Sequence, residues 1–216
     1  GGDPHHPSIR ERFAVSMPVN TYTCLACGLK AMEPGFGLRF AYLVDGVSVP
    51  LKHSVGWCHA CDGFASVEVF DSPEELFTLD GKLEVLRKER DAELTRIEQS
   101  RRWWQRRGQR TSALVDLDWQ IERMERQAMV IRQRLSFLAG RRSPPRCLQC
   151  GSTDAFPFAV IPDFTVYYGK TQGPVALGVK HPGCGGELAV MDDGTRFSYI
   201  PTLRLYDSEG NRCVDV

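Results

Sequence analysis

At 216 residues, with 42% hydrophobic and 25% charged side chains, the chain has the composition of one or two folded domains and not of a disordered tail. Its 27 basic and 27 acidic residues cancel, which excludes a global field drawing it to nucleic acid or an anionic membrane and leaves only local patches. No apolar run reaches the ~18 residues of a membrane span, and the start, GGDPHHPSIRERF, has no apolar h-region. The expectation is an intracellular, cytoplasmic protein without a transmembrane segment.

Residues 1–17 read as a flexible N-terminus. Residues 18–71 are rich in Gly, Val and aromatics, with turn signals at Glu33-Pro34-Gly35 and Asp45-Gly46. Apolar positions at Leu38, Phe40, Tyr42 and Val44, and later at Val67 and Val69, fit half-buried antiparallel ribbons. Two cysteine pairs lie here, Cys24-Leu-Ala-Cys27-Gly28 and Cys58-His-Ala-Cys61, separated by 30 residues.

The texture changes at Ser72-Pro73-Glu74-Glu75, where a Ser cap, a Pro at the first helical position and a Glu three residues after the cap predict a helix start. Leu76, Leu79, Leu83 and Leu86 keep a three-four spacing, which slips near Arg90 and resumes with Leu94, Ile97 and Trp104, while Gly81 is a candidate break in the first turns. After an interruption at residues 108–112, Leu114, Leu117, Ile121, Met124, Ala128, Ile131, Leu135 and Leu138 form an unbroken seam to about Ala139, with Gly140 just past the end. This predicts an antiparallel helical hairpin over 72–140. At its turn, Arg101, Arg102, Trp103, Trp104, Arg106, Arg107 and Arg110 concentrate five arginines and two tryptophans without an acid. Two readings stand for this tip: a solvated turn stapled by one Trp, or a partner-binding surface built from residue types enriched in binding hot spots.

Residues 141–216 return to a β-like texture, and the stretch from Arg196 through 207–211 to Val216 reads as a β-hairpin. Here Cys147-Leu-Gln-Cys150-Gly151 is followed, again after 30 residues, by His181-Pro-Gly-Cys184. A shift of 123 residues superimposes these four positions on Cys24, Cys27, Cys58 and Cys61, and also matches Gly28 with Gly151, Pro34 with Pro157 and Val67 with Val190. The chain therefore carries an internal repeat.

Paired cysteines two residues apart let one tight turn aim two thiolates at one ion, and a Gly after the second adopts positive φ at little steric cost. Metal is favoured over disulfides or a redox dithiol, because two pairs complete a closed tetrahedral set. The order of the sequence suggests one ion held by Cys24, Cys27, Cys58 and Cys61, and another by Cys147, Cys150, His181 and Cys184. Cys213 is the open alternative to His181, and otherwise a small strand residue. Each module resembles the zinc-ribbon family over about residues 20–70 and 145–195, with His181 standing where the first module has Cys58, although the 30-residue gap exceeds the roughly 15–20 often seen. The resemblance implies two structural Zn2+ ions and is silent about biological role.

The expected fold class is thus α+β, with two small β-rich zinc ribbons at the base of a long antiparallel α-helical, coiled-coil hairpin. The expected function is a non-catalytic interaction or adaptor protein that recognises a partner protein through the Arg/Trp-rich tip. A closed donor set leaves no open metal position, and no Ser-His-acid arrangement, P-loop or dinucleotide fingerprint occurs. The alternative is a nucleic-acid-binding protein using the tip with Arg141, Arg142 and Arg146. Homodimerisation through the helices, by way of off-seam Val115, Trp119, Val130 and Phe137, is a further partner reading.

Overall fold

Eleven strands and two helices follow one another among the described residues, 15–100, 110–159 and 172–215 of the computed structural model. Before the helices come β1 (Val15–Cys24), β2 (Lys30–Met32), β3 (Leu38–Val44), β4 (Val47–Pro50), β5 (His53–Cys58) and β6 (Gly63–Glu68). Then follow α1 (Pro73–Ser100) and α2 (Ser112–Leu138). After them come β7 (Ala155–Pro157), β8 (Gln172–Lys180), β9 (Glu187–Tyr199), β10 (Thr202–Tyr206) and β11 (Arg212–Asp215). Strand β1 begins inside the segment expected to be a flexible N-terminus.

The strands form three sheets, in the orders β2-β1-β9-β8, β11-β10-β3-β4 and β6-β5-β7. Every sheet combines strands from before and after the helices. In the first, β1 runs antiparallel to β9 with Cys24 opposite Leu188; in the second, β10 lies parallel to β3; in the third, β7 adds to β5 with Cys58 opposite Ala155. The expected fold of two separate ribbons under a long coiled-coil hairpin is therefore corrected: the chain is mostly β, and its two repeats interleave strand by strand. The chain divides into two compact units, one made of Gly1–Val69 with Arg141–Val216, the other of Phe70–Gly140.

Local chemistry explains the turns. Asp45 and Gly46 both take positive φ, 51° and 77°, and join β3 to β4 with Val44 opposite Val47, the twist a two-residue hairpin requires. The expected C-terminal hairpin is shorter than its sequence span: residues 196–199 belong to β9, and only β10 and β11 pair across 207–211. Pro201, which has no N–H for a ladder, stands between β9 and β10. Aromatic and branched residues that alternate along the strands converge on one core, where Tyr22 and Cys24 meet Val55, Trp57, Phe64, Phe158, Leu188 and Val190.

In the second unit, the Ser72 hydroxyl accepts from the Glu75 N–H at 3.2 Å, capping α1, and the Thr111 hydroxyl accepts from the Leu114 N–H at 3.2 Å, capping α2. Helix α1 runs through Gly81 without a break. Leu79 and Leu83 pack with Ile121, Ala128 and Ile131, flanked by ion pairs Asp80–Arg132 at 2.6 Å and Arg87–Glu125 at 2.6 Å. The packing thins where the spacing slips, for beyond Arg90 Leu94 is 41% exposed and Ile97 only half-buried. Within this unit the described contact is thus an apolar patch with ion pairs and a Thr111–Glu93 hydrogen bond of 3.0 Å, and not a long coiled coil.

Candidate metal centres

The eight expected ligands gather into two groups, but not in the order of the sequence. Cys24, Cys27, His181 and Cys184 form one set, and Cys58, Cys61, Cys147 and Cys150 the other, with the donor atoms of each set all within 4.8 Å of one another. Each set takes one pair from each repeat. The expected pairing of Cys24 and Cys27 with Cys58 and Cys61, and of Cys147 and Cys150 with His181 and Cys184, is corrected accordingly. The reason is strand pairing: β1 beside β9 delivers Cys24 to Cys184, while β7 beside β5 and an isolated bridge between Val67 and Cys147 deliver the 147–150 turn to Cys58.

Three of the four ligand turns close onto the carbonyl of their first ligand, and all four end in a residue with positive φ. The Gly28 N–H donates to the Cys24 carbonyl at 3.0 Å, the Gly151 N–H to the Cys147 carbonyl at 2.9 Å, and the Gly185 N–H to the His181 carbonyl at 2.8 Å. In the fourth turn the Asp62 N–H donates to the His59 carbonyl at 3.2 Å. The residue just after each pair has positive φ, at Gly28, Asp62, Gly151 and Gly185. Three are glycines, and Asp is among the few other types that tolerate this region.

In the first set Cys24 Sγ lies 3.5 Å from Cys184 Sγ, and His181 Nδ1 lies 3.1 Å from Cys184 Sγ and 3.4 Å from Cys27 Sγ. In the second, Cys58 Sγ is 3.6 Å from Cys150 Sγ, and Cys61 Sγ is 3.8 Å from Cys147 Sγ. Donors bonded at about 2.3 Å to a tetrahedral ion stand about 3.8 Å apart, so both sets have the size such an ion needs. All these cysteines are free thiols. Each set offers four soft or borderline donors, three thiols with an imidazole in the first and four thiols in the second, the complement of a closed structural site.

The thiols respond to their surroundings. Backbone N–H donation, led by that of Cys27, lowers Cys24 to about 6, the range of a thiolate at neutral pH. Burial, the largest cause for both, pushes Cys147 up to about 11 and also raises Cys61, whereas Cys150 of the same set is lowered. A dication in place of the thiol protons relieves the cost of burying a thiolate.

Residues outside the expected ligand set complete the centres, among them Gly186, which the 123-residue shift matches with Gly63. A Cβ on Gly186 would meet Ala26 and stand 2.8 Å from Cys24 Sγ, so this glycine lets the first ligand turn of one repeat seat on the second turn of the other. Gly56 does the same for the all-cysteine set, where a Cβ would overlap the Phe156 carbonyl and lie 2.8 Å from Pro157 Cα. The fully buried Trp57, next to ligand Cys58, sets its ring 4.9 Å from that of His181. Close approach between the repeats is what requires these glycines, and the linear pattern carries no signal of it.

The remaining expected residues fall elsewhere. Cys213 lies outside both sets, with its Sγ 3.6 Å from the Asn211 carbonyl. Residues 101–107 of the tip lie outside the described residues, and Arg110 is exposed and pairs with Asp118 at 3.5 Å. Arg141 is withdrawn from any phosphate: its side chain is buried and grips Glu68 with two bonds of 2.6 Å. Arg146 turns a guanidinium N–H to the Gly151 carbonyl at 3.4 Å, and Arg142 is exposed. No helix among the described residues is long and apolar enough to cross a membrane. No protein-family model, curated protein or solved structure matches the chain, so the likeness to zinc ribbons rests on its ligand turns alone.

Proposed function

We propose that the chain is a non-catalytic interaction or adaptor protein whose β unit is held by two structural zinc ions and whose segment 101–110 recognises a partner protein. The observation that carries the structural role is the closure of both donor sets, each made from one pair before and one pair after the helical unit. Four protein donors at each ion leave no position for a substrate or an activated water, which supports a structural and not a catalytic metal. Thiolate-rich sets favour zinc over the hard cations that take oxygen ligands.

The preference for a protein partner has its own support. The helical unit exposes Phe77 at 82% and Trp119 at 56%, large apolar groups of a kind enriched where proteins meet. The rival reading through nucleic acid loses Arg141 to the Glu68 ion pair. Metal analysis of purified protein should give two zinc ions per chain. A pull-down with and without nuclease should capture a protein partner insensitive to nuclease, and Trp103→Ala with Arg106→Glu and Arg107→Glu should abolish capture with both ions retained. Association unchanged by that triple substitution would refute the role of the segment, and association lost with nuclease would replace the protein partner by nucleic acid.

A further inference from the structure

We propose that the two metal centres load as one cooperative unit, an ion in either raising the affinity of the other. The proposal rests on the zinc reading of the two donor sets. Its basis is their reciprocal construction. Each ion must join a pair before the helical unit to a pair after it, so the Cys61–Cys147 contact spans 86 residues and the Cys24–Cys184 contact spans 160. The shorter closure is nested within the longer. Had each repeat closed on itself, either ion could have been bound without the other repeat.

Joining distant segments costs chain entropy that grows as the logarithm of the loop length. In the interleaved arrangement the first ion to bind bears that cost, because it brings both repeats together. The second then meets four donors already assembled.

The protein between the centres transmits the same preference through packing. Cys24, a ligand of the set that contains His181, belongs to the same buried cluster as Trp57, and Trp57 adjoins Cys58 of the all-cysteine set while its ring stands 4.9 Å from His181. The strands β5 and β6 that carry the Cys58 turn pack through Trp57 and Phe64 on Leu188 and Val190 of β9, the strand that follows the His181 turn. Ordering one turn therefore orders the wall behind the other. A coupling between sites is a ratio of affinities and is reciprocal, commonly 5- to 150-fold.

Zinc is the probe. The full chain, stripped by a chelator under reducing conditions, is titrated with zinc and followed by native mass spectrometry. The result expected is that metal-free and two-zinc forms dominate throughout and the one-zinc form stays minor. Cys27→Ser and Cys150→Ser, each at an exposed ligand of a different set, supply the second measurement. Each should hold one zinc at about the affinity of the parent's first ion, about tenfold or more weakly than the parent's second ion. A well-populated one-zinc form, or single variants that hold their ion as tightly as the parent holds its second, would overturn the coupling and leave the zinc reading intact. A parent that takes up no zinc would overturn both.

Discussion

Glu68 is a carboxylate with no solvent exposure, and everything around it is arranged to compensate the charge. Arg141 grips both oxygens, the Arg146 backbone N–H donates to Oε2 at 3.1 Å, and the Tyr42 hydroxyl donates to Oε1. The Glu68 N–H in turn donates to the Arg146 carbonyl at 2.9 Å, so this residue fastens the chain leaving β6 to the chain that re-enters the β unit. Removing one partner leaves a buried charge uncompensated, so Arg141→Ala should destabilise the zinc-loaded protein by about 3–5 kcal/mol in urea unfolding. Glu68→Leu combined with Arg141→Met should recover most of that loss, because a well-packed apolar pair avoids the desolvation that the ion pair must offset. A basic run at 141–146 reads in sequence as surface charge. Its partner, 73 positions away, is invisible there.

At the scale of elements, the helices show how far periodicity alone can be followed. The α2 pattern is regular, and its buried residues Leu114, Ile121, Ala128 and Ile131 are all seam positions. The α1 pattern slips near Arg90, and burial follows the slip, with Leu83 buried and Leu94 41% exposed. Leu83→Ala should therefore cost about 2–5 kcal/mol in unfolding followed by helical circular dichroism, through lost contact and the cavity left behind. Leu94→Ala should stay within about 0.5 kcal/mol, as for other exposed positions. Equal costs at the two leucines would restore a long seam.

For the whole molecule, the partition of the ligands is the decisive property, and double substitutions read it directly. Cys24→Ser with Cys184→Ser damages one set only and should leave one zinc per chain. Cys24→Ser with Cys58→Ser damages both sets and should leave none bound tightly. Pairing in sequence order would reverse these two stoichiometries. The helical unit has its own apolar contact, so full removal of zinc from the parent should abolish near-ultraviolet dichroism from Tyr22, Tyr42 and Trp57 while the helical signal at 222 nm persists.

What the sequence determined by itself was local. The CxxC spacing, the glycines at positive φ, the Asp45-Gly46 turn and the Ser72 cap are each decided within a few residues, by reach and by backbone sterics. The identity of the eight candidate ligands was legible for that reason, and so was the repeat that relates them. Which turn faces which was not, because all four turns present interchangeable donors and either partition completes two tetrahedra. The tertiary structure made that choice through strand pairing, with β1 on β9 and β5 on β7. It rests on the absence of a side chain at Gly186 and Gly56, where a Cβ would collide with the opposite repeat, a constraint that exists only once the two halves are in contact.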